Sequence, residues 1–166
     1  KLHGGEAKTI ALDEKVDFRR PGVERFMTLK CDQTEGRGTR REFALPGHDV
    51  EYLNSTRLPW ETVVDINGSR WLLIHQRPVR TGYTCTHVTL ALAIVPGYPD
   101  TQLDMAYFDP PLQRADGRAI GALANQDIDR RPFQRWSRHR TAEGCWRAGE
   151  DDVCSCLLYT SPSPRD

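Results

Sequence analysis

The stretch FQRWSRHR, residues 133–140, sets a hydroxyl, an imidazole and three guanidinium groups within a few positions of one another. A serine hydroxyl is a weak nucleophile until an adjacent base takes its proton, and an attacked carbonyl needs a cation or donor for its developing oxyanion. Ser137 would be the nucleophile, His139 the base, and Arg135, Arg138 or Arg140 the oxyanion partner. A histidine titrates near neutrality, which suits it to such work. Side chains two apart face the same way only where the chain is extended. The same letters also describe a solvated basic loop with Trp136 packed beneath it, and both readings stay open at this point.

Cys145 is a second candidate nucleophile. It lies beside Trp146 and near Arg147, and a neighbouring cation favours the thiolate. Against this, a cysteine is most often an inert small hydrophobe, and that reading of Cys145 is preferred. Other chemistry-bearing residues have plainer explanations. Five arginines interleaved with Phe133 and Trp136 resemble an RNA grip, but a formal net charge of +0 offers no long-range attraction to phosphate. His75 and His87 fall in strand-like runs and read as satisfied strand histidines. Asp104 and Asp109 are expected on opposite faces of one strand. No set of His, Cys and Asp has metal-ligand spacing, and no cofactor is expected.

Several elements must position these residues. DQTEGRGTRRE, residues 32–42, is polar and glycine-bearing and reads as a loop or linker. Before it, strand candidates at 9–13 and 25–29 flank RRPG, whose proline and glycine suit a type II turn. After it, LPGHDVEYLNST (45–56) predicts a short helix with Val50, Leu53 and Tyr52 on one side. WETVVDI (60–66) and SRWLLIHQ (69–76) flank Asn67-Gly68, a strong hairpin signal. THVTLALAIV (86–95) and QLDMAYF (102–108) add two more strands, giving a four-stranded antiparallel meander. Residues 109–148 show little periodicity and read as irregular. AGEDD (148–152) resembles a helix start, with acids at the positive end of the helix dipole.

Helix, meander, long loop and helix in this order resemble the ubiquitin-conjugating (E2, UBC) fold, an α+β architecture. GYPDTQLDMAYFDP (97–110) is similar to the E2 stretch in which Tyr-Pro opens the fourth strand and His-Pro-Asn follows it. Here Asp109-Pro110-Pro111 occupies the triplet's place. Trp146 in CWRAG resembles the E2 tryptophan that precedes the next helix. PGVERFMTL, DQTEG, LDMAYFDP and QRWSRHR are closest to bacterial E2-like domains that accompany multi-ubiquitin modules. The resemblance implies a transferase carrying the C-terminal acyl group of a ubiquitin-like protein. Its implied partners are that protein, an E1-like adenylating enzyme and a JAB-type peptidase. The usual E2 cysteine precedes that tryptophan by about eight residues. Ser137, nine before Trp146, falls near its place, so the expected carrier is a serine oxyester. Pro111 stands where the oxyanion-binding asparagine belongs and has no N–H to donate. A scaffold that binds the ubiquitin-like protein without bonding to it is the alternative, and RNA binding a distant third.

On this reading residues 1–36 resemble the end of a ubiquitin-like β-grasp module, 37–42 are a linker and 43–153 are the E2-like domain. The last residues, CLLYTSPSPRD (156–166), resemble a translated transposase-type sequencing adapter. They and the junction at 154–155 are therefore expected to stand outside the fold. With an opening Lys1, the expectation is an internal fragment. The remaining cysteines, Cys31, Cys85, Cys145 and Cys154, lack regular spacing and suggest a cytoplasmic protein. No run approaches the ~18 apolar residues of a membrane span.

Overall fold

The computed structural model describes residues 40–137, 140 and 144–161. The chain divides into two units, Lys1–Gly36 and Arg37–Asp166, and every described residue belongs to the second. The strand candidates at 9–13 and 25–29, the RRPG turn and the expected β-grasp remnant lie outside the described residues. So do Arg138 and His139.

Helix α1 (Gly47–Ser55) forms after Pro46 and buries Leu53, with Val50 and Tyr52 half-buried beside it. Asp49 is buried as well. Six strands follow: β1 (Trp60–Val64), β2 (Arg70–Pro78), β3 (His87–Ala93), β4 (Ala106–Asp109), β5 (Leu123–Ile128) and β6 (Arg131–Trp136). They make one antiparallel sheet in the order β1-β2-β3-β4-β6-β5, which corrects the expected four strands to six. β4 is shorter than predicted and starts at Ala106, because Met105 takes a φ of +64° and breaks the extended run.

The first hairpin sits at Asn67-Gly68 but is not a two-residue turn. Asp65 N donates to Ser69 O, and Gly68, at φ +79°, donates to Asp65 O. The Asp65 carboxylate accepts from Asn67 N, Ser69 N and Trp71 Nε1 at 2.8–3.0 Å. A side chain that satisfies three donors holds the wider loop.

Hairpin β5–β6 falls where the sequence reading expects irregular chain. Its turn is Asp129-Arg130, with φ of +49° and +61° between the paired residues Ile128 and Arg131. Two positive φ values in a two-residue loop are the primed turn that suits strand twist, normally signalled by glycine. Without glycine the signal is hidden. The alternation is hidden too: Phe133 faces one side of the sheet and Trp136 the other. Pro132 lies beyond the stretch of β6 that pairs with β4, residues 134–136, so its missing N–H costs no ladder bond there.

The sheet buries both faces. On one, Leu72, Leu90, Phe108 and Trp136 pack with Leu53 of α1 and with Val153 and Leu157 of α2 (Val153–Thr160). On the other lie Val63, Trp71, Leu73, Ala91, Tyr107, Ile128 and Phe133. Val63 and Ile128 share this cluster although β1 and β5 are opposite edges of the sheet. Arg40 also bonds both Glu61 on β1 and Asp129 at the β5–β6 tip. The sheet therefore curls, and hairpin β5–β6 folds back over its own second face.

Two expectations about the C-terminal part need correction. Helix α2 starts at Val153, after the acids at 150–152, because Asp152 is its cap: Asp152 Oδ1 accepts from Ser155 N at 2.8 Å and Ser155 Oγ from Asp152 N at 3.0 Å. Residues 156–160 do not stand outside the fold but continue α2, and Cys156 and Leu157 are buried. Val153, Cys156 and Leu157 recur at helical spacing, which is what lets this segment cover the sheet. The helix stops before the Ser-Pro pairs: Ser161 takes ψ 126°, the extended geometry a following proline imposes.

Candidate functional site

Ser137 follows β6 directly. Its N–H donates to Ala122 O at 3.2 Å, while the preceding Trp136 is buried with its indole N–H bonded to Gln134 Oε1 at 2.8 Å. Gln134 also accepts from Leu112 N and donates to Leu112 O, so one amide ties the segment after Asp109-Pro110-Pro111 to β6. Ser137 is thus a half-buried residue at the end of a sheet strand. Its expected partners Arg138 and His139 lie outside the described residues.

Arg140 is not a solvated loop cation. It pairs with Asp151 at 3.2 Å, reaches Ser155 Oγ at 3.3 Å, and lies 5.1 Å from the Trp146 ring centroid and 5.4 Å from that of Tyr159. These contacts tie Arg140 to α2 and to the segment that precedes it. Cys145 is exposed. The neighbouring Arg147, expected to favour a thiolate, is paired with Glu150 at 2.6 Å instead. Trp146 donates from Nε1 to Pro99 O at 3.0 Å. Among the described residues no hydrogen bond or ion pair joins Ser137 to Cys145.

At the triplet's place, Asp109-Pro110 is cis, Asp109 pairs with Arg131 at 3.1 Å, and neither proline can donate. Asp104 precedes β4, so it does not share a strand with Asp109 as predicted. Across the molecule, Asp49 of α1 accepts from Tyr98 Oη at 2.5 Å and from Val153 N at 3.0 Å. The first turn of one helix thereby caps the other. His48 and Asp152 lie close to it, but both Asp49 oxygens and the Asp152 carboxylate are already engaged.

One buried polar constellation was not anticipated. Glu61, buried on β1, accepts from Arg40 Nε at 2.8 Å and bonds His75 Nε2 at 2.9 Å. His75 Nδ1 lies 3.2 Å from Thr89 Oγ1. Arg40 clasps Asp129 with both terminal nitrogens, at 3.2 and 2.7 Å. Burial alone would raise the Glu61 carboxyl, but the bonds from Arg40 and His75 outweigh it and bring it down from 4.5 to about 2. The Arg40 guanidinium beside Asp129 likewise holds that carboxyl below the usual range. His75 is thus a satisfied strand histidine, as its sequence context suggested. Its partners could not be read from the sequence, because Glu61 and Thr89 meet it only through strand pairing, and Asp129 joins Arg40 only when the sheet curls.

A model of prokaryotic E2 family E matches residues 45–161, more than half of the 166-residue chain. No curated protein and no solved structure matches it. Among the described residues no helix is long and apolar enough to cross a membrane. The match spans α1, the whole sheet and α2, and it supports an E2-like role in a bacterial ubiquitin-like pathway, with a ubiquitin-like protein as partner. The chain belongs to prokaryotic E2 family E.

Proposed function

We propose that this domain carries the C-terminal acyl group of a ubiquitin-like protein as an oxyester on Ser137. An E1-like adenylating enzyme would supply the activated carboxyl, and His139 would take the serine proton, with Arg138 beside it. A JAB-type peptidase would trim the cargo, and a module at residues 1–36 of the β-grasp kind would be that cargo. A cytoplasmic location fits such a pathway. The observation that carries the reading is the placement of Ser137: a half-buried residue whose backbone N–H is bonded to Ala122 O at the end of β6, nine residues before the anchored Trp146. A nucleophile fixed on a rigid element needs little ordering at the moment of attack.

The test uses the full-length chain with its cognate E1, ATP and the ubiquitin-like protein. A hydroxylamine-sensitive adduct lost in Ser137→Ala and kept in Cys145→Ala supports the carrier; an adduct that survives Ser137→Ala overturns it. A second reading, a non-covalent scaffold, is favoured by Pro110 and Pro111, which leave no donor where an E2 places one, and by Arg140, which is committed to Asp151. Binding of the ubiquitin-like protein without any adduct would select it.

A further inference from the structure

We infer that Thr89 is an acyl acceptor, activated by His75 on β2 and Glu61 on β1. The geometry is that of a nucleophile, a base and an orienting carboxylate in series: Thr89 Oγ1 to His75 Nδ1 at 3.2 Å, then His75 Nε2 to Glu61 Oε1 at 2.9 Å. A hydroxyl becomes a competent nucleophile when a neighbouring imidazole accepts its proton and a third group fixes the tautomer. Here the carboxylate accepts from Nε2–H, which leaves Nδ1 as the lone pair facing the threonine hydroxyl. Arg40 holds Glu61 ionised for that task.

A second observation points to a ligand. Arg131 carries Nε and Nη2 atoms that are buried and have no hydrogen-bond partner. Its Nη1 bonds Asp109, the residue paired with Thr89 across β3 and β4. Buried donors without a partner are poorly satisfied as they stand, and this guanidinium, 5.2 Å from the Phe133 ring centroid, reaches the neighbourhood of Thr89 only through Asp109. Arg131 and Asp109 keep 25% and 29% of their side-chain surface open, while Thr89 itself is 9% exposed.

The step balances without any further reagent. Thr89 Oγ1 bonds to the carbonyl carbon of an activated ester or acyl adenylate while its proton passes to His75 Nδ1. The carbon's bond to the leaving oxygen breaks, the leaving group departs with that electron pair, and Nδ1 returns its proton to solvent. Ubiquitin-like C-termini as the acyl source rest on the E2-like reading above; the threonine chemistry does not.

p-Nitrophenyl acetate tests it on the full chain. One acetyl group is expected on the peptide containing Thr89, absent in the near-isosteric Thr89→Val and retained in Thr89→Ser. His75→Gln is expected to slow acetylation at this residue by about 100-fold or more, the usual worth of a positioned base. Glu61 is a positioning residue, and imidazole nitrogen chemical shifts are expected to show His75 protonated at Nε2 in the wild type. Acetylation confined to other residues, or a rate at Thr89 indifferent to His75→Gln, overturns the proposal. So does a His75 ring protonated at Nδ1 alone, a readout that needs no variant to fold. The Ser137 carrier is judged by its own conjugation adduct, so either site can fail alone.

Discussion

On the helix-covered face of the sheet, Leu72, Phe108 and Trp136 are buried by two helices and make almost wholly apolar contacts. On the other face, Trp71 and Tyr107 pack in one cluster with Ile128 and Phe133 of hairpin β5–β6, which Arg40 clasps at its tip. The first closure is driven by burial, which is non-directional and insensitive to protonation. The second depends on a few charge-assisted bonds whose geometry must be right, because a half-satisfied buried network is worse than none. The series Thr89, His75 and Glu61 lies on the paired strands β3, β2 and β1, and Arg40 links its Glu61 end to the second closure through Asp129. The two faces should therefore fail in different ways.

The largest expected effect is on the apolar face. Trp136 is 2% exposed and stands edge-on to Phe108 at 5.3 Å. Trp136→Ala should lower global stability by about 3–5 kcal/mol in chemical denaturation. Between neutral pH and pH 3 that loss should stay constant, since neither its bond to Gln134 nor its contact with Phe108 titrates there. A loss that shrank with acid would mean the two faces are not separable.

Next comes Glu61. Glu61→Leu leaves Arg40 and His75 without their shared acceptor and should cost about 3 kcal/mol at neutral pH. Here the loss should depend on acid. The folded-state value of Glu61 is depressed to about 2 from an ordinary 4.5, so its contribution is complete above about pH 4.5 and fades as pH falls toward 2. Asp129, depressed from 3.8, moves in the same direction. Denaturation midpoints measured across this window should converge for wild type and variant. Parallel curves would show that the clasp does not supply the pH dependence.

The apolar face is the one the sequence made legible. WETVV and SRWLLIHQ are apolar-rich runs flanking a turn signal, and α1 shows its stripe at Val50 and Leu53, so local sequence reports elements that local packing buries. The second face resisted reading for the opposite reason. Asp129-Arg130 makes a primed turn with no glycine, and LANQDI buries fully only Ile128, as an edge strand can. Arg40 and Asp129 are 89 positions apart, so no window contains their bond. Of the proposed nucleophiles, Ser137 is put forward from its spacing to Trp146, and Thr89 only from the structure, since a threonine in a strand looks like any other until its cross-strand neighbour is known.

A smaller effect isolates the clasp. Arg40→Ala removes both bonds to Asp129 and one to Glu61, but the side chain is a third exposed, so about 1–2 kcal/mol is expected. Hydrogen exchange should then speed up in β5 and β6 and at the Trp71 and Tyr107 amides, while the α1 and α2 amides keep their protection. Uniform acceleration across both faces would argue that the hairpin does not open as a unit.

The smallest prediction has the opposite sign. Arg130 is exposed at φ +61°, next to Asp129 at φ +49°, and a side chain in that region is crowded by its own backbone. Arg130→Gly removes the crowding, though glycine gains more freedom in the unfolded chain. The balance should be a gain of about 0.5–1 kcal/mol, with slower exchange in β5 and β6 and no change around α1. Asp129 cannot be relieved the same way, because Asp129→Gly surrenders the carboxylate that Arg40 grips and should destabilise instead. If both glycines stabilised, strain in the turn would outweigh the clasp, and the second face would be closed by burial as the first is.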